Sequence, residues 1–200
     1  MPPAKKPSRN RTKLIEAARR LFAEKGYAAT GTEEVVAVAG VTRGALYYQF
    51  ADKQDLFRAV FLAMLDELAR EVFQTTMAEI TDDHDDLKVG TRILLDLYSR
   101  PDIRQVILLD GPAVLGWPTW RALQQPLTVA LVTHALEHLV DDGTLAPQPL
   151  SPLADLIAGA LVQAGLAIAN ADDAAAARAN YAQSLQTLLG PLVERKPQGG

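Results

Sequence analysis

Residues 37–50 read AVAGVTRGALYYQF, and the fold turns on that stretch. Gly40 sits where a short helix ends, because glycine enters the left-handed conformation without a Cβ penalty. Val41 follows as a buried turn residue, and Thr42 carries the hydroxyl that caps the next helix, Arg43 to about Gln49. Leu46 and Phe50, four apart, fasten that helix to a small core made by Leu21, Phe22 and Val36. Arg43, Ala45, Tyr47, Tyr48 and Gln49 are left facing outward to differing degrees. Two adjacent tyrosines cannot both be buried on so short a helix, so at least one ring is exposed with a hydroxyl free for a phosphate oxygen. Two helices crossing steeply at a glycine turn form a helix-turn-helix, which lays its second helix in the DNA major groove.

Working toward the N-terminus, Leu14, Ile15, Ala18, Leu21 and Phe22 mark one face of a helix from about Arg9 to Lys25, closed by Gly26. Thr32 is expected to cap the second helix, with Glu33 and Glu34 at its positive end and Val35, Val36 and Val38 as its buried side. Toward the C-terminus, Asp52 caps a fourth helix and Asp55 three residues on echoes a capping box. Its apolar positions run from Leu56 and Phe57 to Val72 and Phe73. The acidic run Asp82 to Asp86 lacks the glycine and terminal glutamate of a calcium loop and reads as a solvated connection. Further helices are expected over 87–99, 102–110, 118–141, 152–170 and 173–189, with 111–118 as loop or short turns. Ser151 and Pro152 look like an N-cap and first-turn pair, and Gly190-Pro191 like a stop. No stretch alternates with period two, so the fold class is all-α.

Charge is distributed unevenly. The net charge is −4, yet residues 1–60 hold eleven Lys/Arg against six acids, a net of +5, and the remainder carries −9. A basic head on an acidic body suits a local polyanion-binding surface, although a solvated basic face has the same signature. With 48% hydrophobic residues the chain has material for a sizeable core, and the absence of cysteine excludes disulfides, thiolate metal sites and cysteine nucleophiles. The N-terminus is basic and proline-containing without the apolar core of a secretory signal. The longest apolar stretch, Leu153 to Ala169, is interrupted by Asp155 and Gln163 and is short for a bilayer span. A cytoplasmic protein without a membrane partner is expected.

Ala17-Ala18, Leu21-Phe22, Lys25-Gly26-Tyr27, Thr32, Val38 through Thr42, Gly44, Leu46-Tyr47-Tyr48, Phe50, Lys53 and Leu56-Phe57 fall in an order and spacing that resembles the DNA-binding domain of the TetR family of bacterial repressors. The resemblance spans about Thr12 to Phe61. It implies a two-domain homodimer: a flexible basic arm (1–8), a three-helix helix-turn-helix domain (9–52), and a larger helical ligand-binding and dimerisation domain (53–200). It further implies that Thr42, Tyr47, Tyr48 and Lys53 contact phosphates, that Arg43 and Gly44 approach the groove, and that Thr32 caps the second helix near the backbone. Ala45 and Gln49 depart from the commonest pattern. Ala45 retains a methyl for thymine, and Gln49 can meet an adenine edge or a phosphate.

Within 152–189 the apolar positions Leu153, Leu156, Ile157, Ala160, Leu161, Ala164 and Ile168 are interleaved with small residues that allow close helix approach. The resemblance implies that the last two long helices form the dimer interface. Phe61, Met64, Tyr98, Trp117, Trp120, His134 and His138 are candidates for lining a pocket for a small apolar or amphipathic effector, and equally for core packing. His134 and His138 share a helix face, but no third ligand is fixed, so they read as paired polar residues rather than a metal site. No cofactor is implied. No GxSxG, P-loop or HExxH motif is present, so a catalytic role is not expected. The reading is a ligand-responsive regulator, a repressor by the resemblance, that binds a palindromic operator as a dimer and is released by an inducer. A helical protein-interaction module and an activator remain open at this point.

Overall fold

A computed structural model of the chain describes residues 8–79 and 86–193, and the described residues contain helices and no strand. Ser8 caps α1 (Arg9–Ala29), its hydroxyl accepting from the Arg11 amide at 3.3 Å, so Ser8 belongs to the first helix rather than to an arm. Residues 1–7 of the expected arm lie outside the described residues. Gly26 interrupts α1 at φ +80°, and one further helical turn follows to Ala29. α2 (Thr32–Ala39) and α3 (Arg43–Gln49) flank Gly40 at φ +61°, the left-handed stop expected from sequence. Thr42 caps α3 through its hydroxyl, which accepts from the Ala45 amide at 3.2 Å.

Thr32 does not cap α2. The N-cap is Gly31, with no side-chain bond, and Thr32 is the first helical residue. Val38 also differs from expectation: it is 39% exposed, because Val35 and Ala39, four apart, form the buried row.

α4 (Lys53–Glu79) starts at Asp52, which accepts from the Asp55 amide at 2.7 Å while the Asp55 carboxylate accepts from the Ala51 amide at 3.1 Å. This reciprocal pair satisfies amides that helix geometry leaves free. Phe73, expected in the buried row of α4, is half exposed. After α5 (Asp86–Tyr98) the short α6 (Pro101–Ile103) leads into a π-helical segment, Arg104–Asp110, and then α7 (Gly111–Leu115). The stretch expected as loop is therefore helical to Leu115. Pro112 lies in the first turn of α7. Gly111 fits because a Cβ there would stand 2.7 Å from the Trp120 ring and 2.9 Å from Phe61.

α8 (Trp117–Asp141), α9 (Leu150–Asn170) and α10 (Ala174–Val193) complete the body. α9 begins two residues before Pro152, with Pro149 at the N-cap position, so Ser151 is inside the helix rather than capping it. α10 continues through Gly190-Pro191, because Leu189 and Val193 bury one turn apart and hold the last turn down. α9 is long and apolar enough to cross a membrane by length and composition; 44% of its apolar window is buried inside this fold. One apolar core runs from Leu14 and Phe22 through Phe57 and Phe61 to Leu136 and Ile168. Phe61 and Met64 are fully enclosed in it.

Candidate nucleic-acid interface and ligand cavity

α3 is anchored from beneath and bare above. Leu46 is fully buried and Phe50 is 2% exposed, whereas Tyr47 is 45% and Tyr48 86% exposed. Thr42, Arg43 and Gly44 are exposed, Ala45 and Gln49 half-buried, so the first turn of α3 stands open to a groove. The Thr42 oxygen is occupied as an acceptor by the Ala45 amide, which leaves its O–H to donate outward. Arg43 lies 3.6 Å from Glu33 of α2 and 5.6 Å from the Tyr47 ring centroid, a loose exposed arrangement that a polyanion can displace. Thr32 is half-buried at the start of α2.

Lys53 stands apart from that set. Its ammonium donates to the Thr30 carbonyl at 2.8 Å and lies 4.1 Å above the Tyr27 ring. Burial pushes its pKa down, partly offset by Asp110. It therefore joins the end of α1 to the start of α4 as well as presenting a charge nearby. Arg11, which in the sequence could with Arg9 enter a minor groove or simply attract phosphates, also packs on α3: its guanidinium donates to the Gln49 carbonyl at 3.3 Å and lies 4.4 Å from the Phe50 ring centroid. A cation at the carbonyl end of α3 complements the helix dipole and holds that end in place. No local pattern signals this, since the partners are 38 residues apart.

Among the pocket candidates, the structure separates what sequence grouped. Phe61 and Met64 line none of the described cavities and serve the core. Trp117 and Trp120 line a cleft against α9, where the Trp120 indole donates to the Ile107 carbonyl at 2.8 Å. Tyr98 borders a small gap of about 10 Å³ with Thr128 and Gln124, and burial raises its phenol to about 12. His134 borders a partly open cleft of about 50 Å³ between α4, α5 and α8, and the His138 ring meets His134 edge-on with centroids 4.3 Å apart.

Asp86 lines that cleft and was missed. Expected in a solvated loop, it is 6% exposed at the first turn of α5, with one oxygen 2.5 Å from His138 Nδ1. Tertiary packing places it opposite α8; the rest of the acidic run lies outside the described residues. Among the described residues no three His, Asp or Glu groups converge as a metal site. A larger groove of about 370 Å³ lies between α5 and α10, but the guanidinium groups beside it are committed, Arg92 to Glu79 and Asp96 and Arg178 to Asp96. The cleft between α4, α5 and α8 is chemically the more specific, because Thr76 Oγ1, Asp86 Oδ1 and Thr91 Oγ1 on its lining residues are buried without hydrogen-bond partners.

Residues 14–60 match the family described as bacterial regulatory proteins, tetR family, and residues 84–192 match the tetracyclin repressor-like, C-terminal domain. The chain belongs to the TetR family. Its fold superposes on a TetR-family transcriptional regulator from Pectobacterium atrosepticum with a TM-score of 0.82, at 32% identity over 93% of this chain and 95% of that one. It is similar to the transposon Tn10 TetC protein of Escherichia coli, 25% identical over 73% of each chain. It also resembles the HTH-type transcriptional regulator TtgR of Pseudomonas putida, 35% identical over 44% of this chain and 41% of that one. As a TetR-family member the chain is an all-α helix-turn-helix transcriptional regulator, and the similar proteins are regulators rather than enzymes.

Proposed function

We propose that this TetR-family chain represses transcription as a homodimer that grips a palindromic operator through α3 and releases it when a small molecule occupies the regulatory body. The observation that carries the DNA reading is the contrast on α3: Leu46 fully buried, with Tyr48 on the opposite side 86% exposed and unpartnered by protein. A large aromatic held out of the core at a groove-reading position is explained by an external partner. Thr42, Tyr47 and Tyr48 donate to phosphates, with Thr32 and Lys53 at the flanks, while Arg43, Gly44, Ala45 and Gln49 meet base edges.

The head is residues 9–52 and the regulatory body 53–200. Dimerisation runs through α9 and α10, where Leu156 is 73% and Leu188 60% exposed and the exposed small residue Gly159 lies one turn from Leu156. Such a lean apolar face suits a close helix-to-helix contact with a second copy. The dimer sets the spacing of two α3 helices, and an effector favours a spacing that misses successive major grooves. The protein acts in the cytoplasm, where the DNA is, and the effector enters the cleft between α4, α5 and α8.

Binding of the full chain to the palindromic fragment upstream of its own gene tests this. Affinity should fall steeply between low and moderate salt, as phosphate contacts demand. An affinity independent of salt would sink the operator reading.

A further inference from the structure

We propose that the cleft between α4, α5 and α8 takes a small amphipathic amine, its protonated head bound by Asp86, Thr76 and Thr91. The inference rests on the reading of that cleft as the effector site and adds the chemical class of the effector. Asp86 is 6% and Thr76 8% exposed, and each carries a buried side-chain oxygen without a hydrogen-bond partner, as does Thr91; all three residues line the cleft. A buried polar atom left unpaired is costly, so three on residues lining one cleft describe a site shaped for something that binds there.

The donor and acceptor inventory selects the head group. A carboxylate oxygen only accepts, and each threonine hydroxyl can accept. An ammonium has three donors and no acceptor, and so matches three oxygens; a neutral alcohol brings one donor. Neither Lys nor Arg lines the cleft, so an anionic head would meet the Asp86 carboxylate with only the His134 and His138 imidazoles near it. Asp86 is also pre-oriented: His138 holds Oδ2 at 2.5 Å, which fixes where Oδ1 faces and lowers the ordering cost of binding.

The remaining walls suit a hydrocarbon body. Val72, Leu94, Leu131 and Thr128 border both this cleft and the small gap beside Tyr98, so the apolar wall is continuous in that direction. Phe73, half exposed, and Met77, 42% exposed, stand at the rim of the cleft as polarizable contacts.

Isothermal titration of the full chain with n-octylamine, 1-octanol and octanoate at neutral pH tests the proposal. Octylamine should bind about tenfold or more tightly than octanol, and octanoate should not bind. Asp86→Asn should weaken octylamine about tenfold while leaving octanol within roughly threefold. Thr91→Val, which leaves the Asp86–His138 pair intact, should weaken octylamine several-fold and decides the matter if Asp86→Asn does not fold. Failure of octylamine to bind, or equal binding of octanol or octanoate, overturns the amine. If octanoate binds and Thr91→Val weakens it, the cleft stands as the effector site and only the ligand class falls. Octylamine binding that neither variant alters overturns both.

Discussion

The Asp110 carboxylate accepts the backbone N–H of Tyr27 at 2.8 Å, joining the end of the π-helical segment to the residue that follows the break in α1. The positive φ of Gly26 turns that amide away from the helical ladder, and Asp110 receives it. Gln105 of the same segment crowds Gly26, where a Cβ would lie 3.1 Å from its amide nitrogen. A few residues on, the Gln54 side chain donates to the Val114 carbonyl at 2.7 Å, a second tie between the base of α4 and α7. Helices that form the body thus bond directly to the backbone that positions α2 and α3.

Asp110→Ala should leave the Tyr27 amide without its acceptor at a partly buried site. The expected loss is about 1–2 kcal/mol in urea denaturation, with faster hydrogen exchange at Tyr27 than in the parent. Unchanged protection of that amide would show that the bond does not hold the break in α1.

Tyr48→Ala should weaken operator binding several-fold without changing the unfolding midpoint, since an 86% exposed side chain contributes little to the core. Leu46→Ala should do the reverse. It empties a fully buried position at about 2–5 kcal/mol and loses DNA binding through loss of the fold. Comparable melting of the two variants would contradict this division of labour.

Gly165→Ala should destabilise the body, because the new Cβ would stand 2.6 Å from the Tyr98 ring in the packed seam between α5 and α9. Overpacking of this kind costs about 1–3 kcal/mol. In a Tyr98→Leu background the same change should cost less, and a double-mutant cycle measures the difference.

Tyr98 also predicts a response to alkali. Its phenol is raised to about 12 by burial, whereas in the unfolded chain it ionises near 10. Between those values the unfolded state has lost the proton that the native state keeps, so this group lowers stability as pH rises through that window. The loss approaches about 2–3 kcal/mol by its upper end, and Tyr98→Phe should lack that component. Equal pH slopes for the two proteins in urea titrations between pH 9 and 12 would remove Tyr98 as the cause.

Legibility followed the range of the interactions. Gly40, Thr42 and the Asp52–Asp55 pair were readable because a cap or a left-handed turn is decided within four residues. Leu46 and Phe50 were readable because helical spacing fixes which side of α3 is anchored. Thr32 was misread, since Gly31 one residue earlier already supplies the non-helical conformation that an N-cap needs. The exposed side of Val38 and the helical run through Gly111 to Leu115 escaped because each depends on what packs against it from elsewhere in the chain.

Glycine conformation, hydroxyl capping and helical period act locally, and they were enough to mark out a helix-turn-helix with an anchored and an open side. The position of Asp86, the enclosure of Phe61 and Met64 in the core and the reach of Asp110 to the Tyr27 amide came from packing between distant segments. Separation along the chain accounts for the difference. Asp86 and His138 are 52 residues apart, and Asp110 and Tyr27 83, so neither pairing leaves any local periodicity to read.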